Sequence, residues 1–218
     1  MKNRIFYLLI VLSMTVPLCA NDFTITVKDG GGKPVENAVV ALKPGVVVPK
    51  SPASGPSQII QKGKEFLPLV TVIQVGGEVE FPNLDSVQHH VYSFSKPKRF
   101  DIPLYKESTP KPIVFDKPGV VVLGCNIHDW MKAFIYVVDT PYFAKSGPDG
   151  RIKLDCLPPG KYQVEFWHPR LKKILGTGLP QSVELDEKNS RVFTVSIELK
   201  KEIAPTRNEG GYEAGTYP

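Results

Sequence analysis

Glycine and proline interrupt this chain too often for a long helix to form. The 218 residues include 18 glycines and 21 prolines, and no stretch between them repeats apolar residues at helical spacing with capping residues at its ends. The runs between the breaks alternate instead, as strands do. Phe23-Thr24-Ile25-Thr26-Val27 alternates, Asp29-Gly30-Gly31-Gly32-Lys33-Pro34 turns the chain, and Val35 to Leu42 reads as a second strand. Further strands are expected at Leu69–Val75, Glu78–Phe81, His89–Ser95, Ile113–Phe115, Val120–Gly124, Ala133–Val138, Arg151–Leu154, Tyr162–Trp167, Ser182–Leu185 and Val192–Leu199. The fold class is therefore all-β. Hydrophobic residues at 42% and charged residues at 22% exclude both a disordered chain and a multi-span membrane protein.

Lys2 and Arg4 precede an apolar run from Ile5 to Val16, and Pro17-Leu18-Cys19-Ala20 follows. That is the layout of a secretory signal peptide over residues 1–20, and it implies a periplasmic or otherwise secreted protein with no membrane span after cleavage. Removing it takes two cations and no acids, so a net charge of +5 falls to +3, too little to argue for nucleic acid. One methionine (Met131), two cysteines (Cys125, Cys156) and four histidines (His89, His90, His128, His168) remain. The two cysteines could pair in an oxidising compartment.

Those scarce residues cluster. Cys125-Asn126-Ile127-His128-Asp129-Trp130-Met131 places thiol, imidazole and thioether three residues apart, on a loop between two apolar strands. Soft sulfur ligands with imidazole suit copper in a trigonal site with a weak axial Met, and a second histidine from another strand would complete it. Asn83 to Val91 carries that histidine. Gly76-x-x-Val79-x-Phe81-x-Asn83, His89, and Cys125-x-x-His128-x-x-Met131 together resemble the cupredoxin family, and the three-and-three loop is most similar to that of amicyanin. The stretch from Phe66-x-Pro68 to the ligand loop looks like periplasmic plastocyanin-like proteins of the methylamine-utilisation type. The resemblance implies one mononuclear copper held by His89, Cys125, His128 and Met131. His90 is the alternative first ligand, or a group that ties the ligand loops together; adjacent strand residues face opposite ways, so only one of the pair is expected to bind. Asp129 is expected to put negative charge near the exposed imidazole, and Trp130 to add to an apolar docking surface.

Other chemistries fit less well. Haem attachment lacks Cys-x-x-Cys-His, and an oxygen-reducing copper cluster lacks His-x-His pairs. A Cys–His nucleophile has no third group to orient it, and a structural zinc site gains little from Met. Cys156 is expected to be a small buried residue and His168 a surface group at a strand end.

Outside this segment, Asp29-Gly30-x-Gly32-Lys33-Pro34-Val35-x-Asn37-Ala38-x-Val40 and, after position 139, Gly147-Pro148-Asp149-Gly150-Arg151 with Leu154-x-x-Leu157-Pro158-Pro159-Gly160-x-Tyr162-x-Val164 resemble the two halves of a carboxypeptidase-regulatory-like sandwich. The expected organisation is a signal peptide (1–20), the first part of that sandwich with a linker (21–57), a cupredoxin Greek-key sandwich inserted in it (58–138), the second part (139–200) and a disordered tail (201–218). The resemblance implies a one-electron carrier, not an enzyme, whose partners are redox proteins: a donor dehydrogenase or an acceptor of the cytochrome c type. Copper trafficking through Cu(I), or a scaffold with a structural metal, are the other functions such residues could serve.

Overall fold

The computed structural model describes residues 21–46, 55–186 and 190–201. The expected signal peptide, most of the linker and nearly all of the tail lie outside them. The described residues form strands and turns, and among them no helix is long and apolar enough to cross a membrane.

Two hydrophobic cores organise the strands. One draws on residues 59 to 137, with Phe81, Phe115, Leu123, Met131 and Ile135 among its fully enclosed side chains. Its main sheet has five strands in the order Val70–Gln74, Lys132–Val138, Gly119–Gly124, His89–Ser93 and Phe100–Tyr105. A facing three-stranded sheet (Ile113–Val114, Glu78–Glu80, Ser57–Gln58) supplies Val79. Alternation along Gly119–Gly124 buries Val121 and Leu123 and leaves Val120 and Val122 half-exposed, as one buried face of a sheet requires.

The other core takes residues from both ends of the described chain: Phe23, Ile25, Val40 and Leu42 pack with Ile152, Leu185, Val195 and Ile197. Its first sheet is ordered Arg151–Leu154, Phe23–Asp29, Arg191–Leu199, Leu171–Leu175. Its second is ordered Phe143–Lys145, Val39–Pro44, Gly160–Trp167, Ser182–Leu185. Phe23–Asp29 runs parallel to Arg191–Leu199 and antiparallel to Arg151–Leu154. Gly150 makes the turn into Arg151–Leu154 at φ +72°, and a Cβ there would lie 2.4 Å from the Val27 carbonyl oxygen, so only glycine fits.

The two units are packed together. The Trp167 ring lies 5.8 Å from Phe134 and 5.3 Å from Tyr136, both on the strand that leaves the candidate ligand loop. Lys145 Nζ donates to the Val70 carbonyl at 2.8 Å, and the Tyr136 hydroxyl donates to Glu165 Oε2 at 3.4 Å.

The structure departs from the expected strands in two ways. The second strand starts at Val39, because Asn37 turns the chain with φ 65° and Ser146 Oγ takes the Ala38 N–H. Six strands were not expected: Ser57–Gln58, Ile60–Gln61, Phe66–Leu67, Phe100–Tyr105, Phe143–Lys145 and Leu171–Leu175. Each lies at the edge of its sheet, where Pro103 or paired lysines are tolerated and strict alternation is not needed.

Candidate metal centre

The strand His89–Ser93 turns His89 inward, fully buried, while His90 points to the opposite face and hydrogen-bonds Asp101 through Nε2 at 2.6 Å. The neighbouring strand ends at Gly124, opposite Tyr92, and delivers Cys125 beside His89. Gly124 leaves room for the Tyr92 ring, whose far end lies 2.8 Å from where a Cβ would stand. The loop then brings His128 back over the thiol, and Met131 N–H closes it on the His128 carbonyl at 2.9 Å.

Three donor atoms converge. His89 Nδ1 and His128 Nδ1 are 3.2 Å apart, and Cys125 Sγ lies 4.0 Å from the first and 3.8 Å from the second. A first-row metal about 2.0–2.1 Å from nitrogen and about 2.3 Å from sulfur spaces its donors about 3.3–3.8 Å apart at tetrahedral to trigonal angles. The cluster matches that spacing to within about 0.2 Å. Met131 is buried beside it and lines, with Cys125, a groove of about 400 Å³ bounded by Tyr92, Phe94, Asp129 and Lys132. Thiolate, two imidazoles and a neighbouring thioether are the donor set that fits copper.

The surroundings prepare these atoms as ligands. Burial pushes the Cys125 thiol up, but hydrogen bonds from the His89 ring and from the N–H groups of His90, Ile127 and His128 outweigh it and hold the thiol below its ordinary value. For His89, burial opposes protonation, and Cys125 and Asp85 reverse the balance and raise it. Burial, then the nearby His89 and Lys64, lower His128.

Asp85 was not singled out by sequence reasoning. Its Oδ2 accepts from His89 Nε2 at 2.7 Å, four residues upstream of the ring it holds. A carboxylate behind a metal-binding histidine is a recurring arrangement, so an acid at that short spacing was the available signal. Burial raises the Asp85 carboxyl, but the N–H groups of Lys64 and Gly63 and the His89 ring more than offset this and hold it below the usual carboxylate range.

Trp130 is half-exposed: its ring packs partly against the core, lies 5.2 Å from the His128 ring, and its Nε1–H donates to the Lys64 carbonyl at 3.0 Å. Two expectations are corrected. Cys156 is exposed at φ 58° and takes part in a disulfide, whereas Cys125 is a free thiol, so the two do not pair. His168 is buried: its Nε2–H donates to the Glu36 carbonyl at 3.2 Å and its Nδ1 accepts from Arg170 N–H at 3.1 Å. A turn follows at Pro169 and Arg170, closed by the Leu171 N–H on the His168 carbonyl at 3.0 Å.

The class that fold and site define is an all-β protein with a His–Cys–His cluster, buried at His89 and Cys125, beside a methionine. No family model and no curated protein matches the chain. Among solved structures it is similar to a Cu-containing nitrite reductase from Thermus scotoductus SA-01, at 30% identity and a TM-score of 0.38, over 45% of this chain and 26% of that one. The chain thus spans about a quarter of that enzyme's length. It is also similar to a purple cupredoxin from Nitrosopumilus maritimus (28% identity, TM-score 0.34, 38% of this chain and 99% of that one). A reduced point mutant of amicyanin matches at 16% identity and a TM-score of 0.36, over 47% of this chain and all of that one.

Proposed function

We propose that this protein is an exported copper protein that carries single electrons between other redox proteins, with one copper held by His89, Cys125, His128 and Met131. The observation that carries the reading is the triangle of His89 Nδ1, Cys125 Sγ and His128 Nδ1 at metal-donor spacing. Copper in such a site supplies a one-electron couple with little ligand movement.

The chain's own groups serve that chemistry by holding still. Three backbone N–H groups fix the Cys125 sulfur, Asp85 fixes the His89 ring, and the core encloses Met131. Cys125 is only 3% exposed, which favours a metal retained over one handed on, and so a carrier over Cu(I) trafficking. His128 is partly exposed, and the apolar side chains Ile127, Leu84 and Val87 stand exposed on the loops that carry the ligands. A dehydrogenase donor or a cytochrome c type acceptor would dock there. With its donors all supplied by protein, the site acts as a relay and not as an enzyme. The outer unit, read as a carboxypeptidase-regulatory-like sandwich, is a spacer or adaptor. The leader-like residues 1–20 support export to the periplasm.

Reconstitution with Cu(II) tests this. The expected product has an intense visible thiolate-to-copper band, absent in Cys125→Ser, and reversible one-electron voltammetry. A colourless protein that holds only Cu(I) or Zn(II) would overturn the carrier in favour of trafficking or a structural metal.

A further inference from the structure

The loop before His89 is more ordered than a connector needs to be. Asn83 Oδ1 accepts from the Asp85 N–H at 2.9 Å, and Asn83 Nδ2 donates to the carbonyls of Val87 and Tyr105, both at 2.9 Å. Asp85 then has both oxygens engaged: Oδ1 with the Gly63 N–H at 2.6 Å, Oδ2 with the Lys64 N–H at 2.8 Å and with His89 Nε2 at 2.7 Å. The turn that supplies those N–H groups is the one whose Lys64 carbonyl receives the Trp130 indole, from between His128 and Met131. One short turn therefore connects the carboxylate behind His89 with the loop that carries the other ligands.

We propose that Asp85 is the positioning residue of the metal centre: it fixes the His89 ring with Nδ1 toward the metal and places a negative charge behind it that favours the more oxidised ion. The proposal rests on the metal-centre reading above. With Nδ1 facing Cys125 and His128, the ring carries its proton on Nε2 and donates it to Asp85, so tautomer and orientation are set together. The charge is effective because it is enclosed: the Asp85 side chain is 14% exposed, against 66% for Asp101, which makes an equally short bond to His90 on the far face. The molecule thus contains its own control, two His–Asp pairs on adjacent residues, one at the cluster and one in solvent.

The experiment uses the full chain with Asp85→Asn and Asp101→Asn, read by Co(II) affinity through the thiolate-to-cobalt absorption and by the copper reduction potential. Asp85→Asn keeps size and one acceptor but removes the charge. It is expected to weaken Co(II) at least about tenfold and to shift the preference for Cu(I) over Cu(II) upward about tenfold, which is about 59 mV for one electron. Asp101→Asn is expected to move neither. Wild-type values in Asp85→Asn, or equal shifts in both variants, would overturn the proposal. If the wild type binds Co(II) through Cys125 but shows no reversible copper couple, the electron-carrier reading fails while the Co(II) comparison still decides the role of Asp85. Should Asp85→Asn not fold, Asp85→Glu retains the charge but displaces it; weaker Co(II) binding supports the proposal and wild-type binding overturns it.

Discussion

Each of the two cores buries a histidine, and the two rings are held in opposite ways. His89 has a carboxylate at one nitrogen and a thiol and a second imidazole at the other, and the thiol and carboxylate favour its charged form despite burial. His168 has a backbone carbonyl at one nitrogen and a backbone N–H at the other; burial pushes it below its ordinary value, and the nearby Arg170 adds to this. Burial is common to both. The partners decide whether the ring is a poised ligand or a neutral strut, because only His89 faces groups whose charge or lone pairs a cation could use.

The largest expected effect breaks the comparison at its centre. His89→Ala should reduce Co(II) or Cu(II) affinity by more than the about 10–100-fold that follows loss of an outer partner, while His168→Ala leaves affinity unchanged; titration of the charge-transfer band measures both. Next is Gly150→Ala, which forces a side chain against the Val27 carbonyl in a left-handed turn. It should cost the outer sandwich about 2–4 kcal/mol in urea unfolding and leave the Co(II) spectrum as it was. A spectrum that changes with it would mean the two units are less separable than their cores imply. Trp167→Ala removes the aromatic contact between the units and should cost about 2 kcal/mol, visible as a single unfolding transition that splits into two.

The smallest effect sharpens the contrast in pH. Because the folded pKa of His168 lies below its unfolded value, the unfolded chain takes up the proton first as pH falls. Stability should therefore be complete above about 6.5 and decline from there toward the depressed folded value. Protonation at Nδ1 also removes the acceptor for Arg170 N–H. His168→Gln, which can still donate to the Glu36 carbonyl, should flatten that decline in thermal melts at pH 5 to 7.

What could be read in the sequence was whatever rests on rare residue types or on local alternation. One methionine six residues after a cysteine marked the ligand loop, and buried central strands such as Gly119–Gly124 announced themselves by their apolar runs. Two edge strands did not, because they lack that alternation: Phe100–Tyr105 carries Pro103 and Leu171–Leu175 carries Lys172 and Lys173, whereas the edges Arg151–Leu154 and Ser182–Leu185 alternate and were legible. Asp85 escaped notice because acids are common, and its value depends on a turn twenty-one residues upstream that reaches it only in three dimensions. His168 was misjudged for a related reason, as the Glu36 carbonyl that holds its ring lies 132 residues away along the chain.

The parallel pairing of Phe23–Asp29 with Arg191–Leu199 has a consequence for biosynthesis. The first strand lies inside its sheet, and one of its two neighbours is the last of the described strands. It must wait, half-templated by Arg151–Leu154, until residues 191–199 have been synthesised. The core drawn from residues 59 to 137 has no such debt to the C-terminus, because its pairings are confined to a continuous stretch of chain. The half that carries the His–Cys–His cluster can thus be complete while the sandwich around it is still open, and the nascent chain acquires its candidate site before its frame.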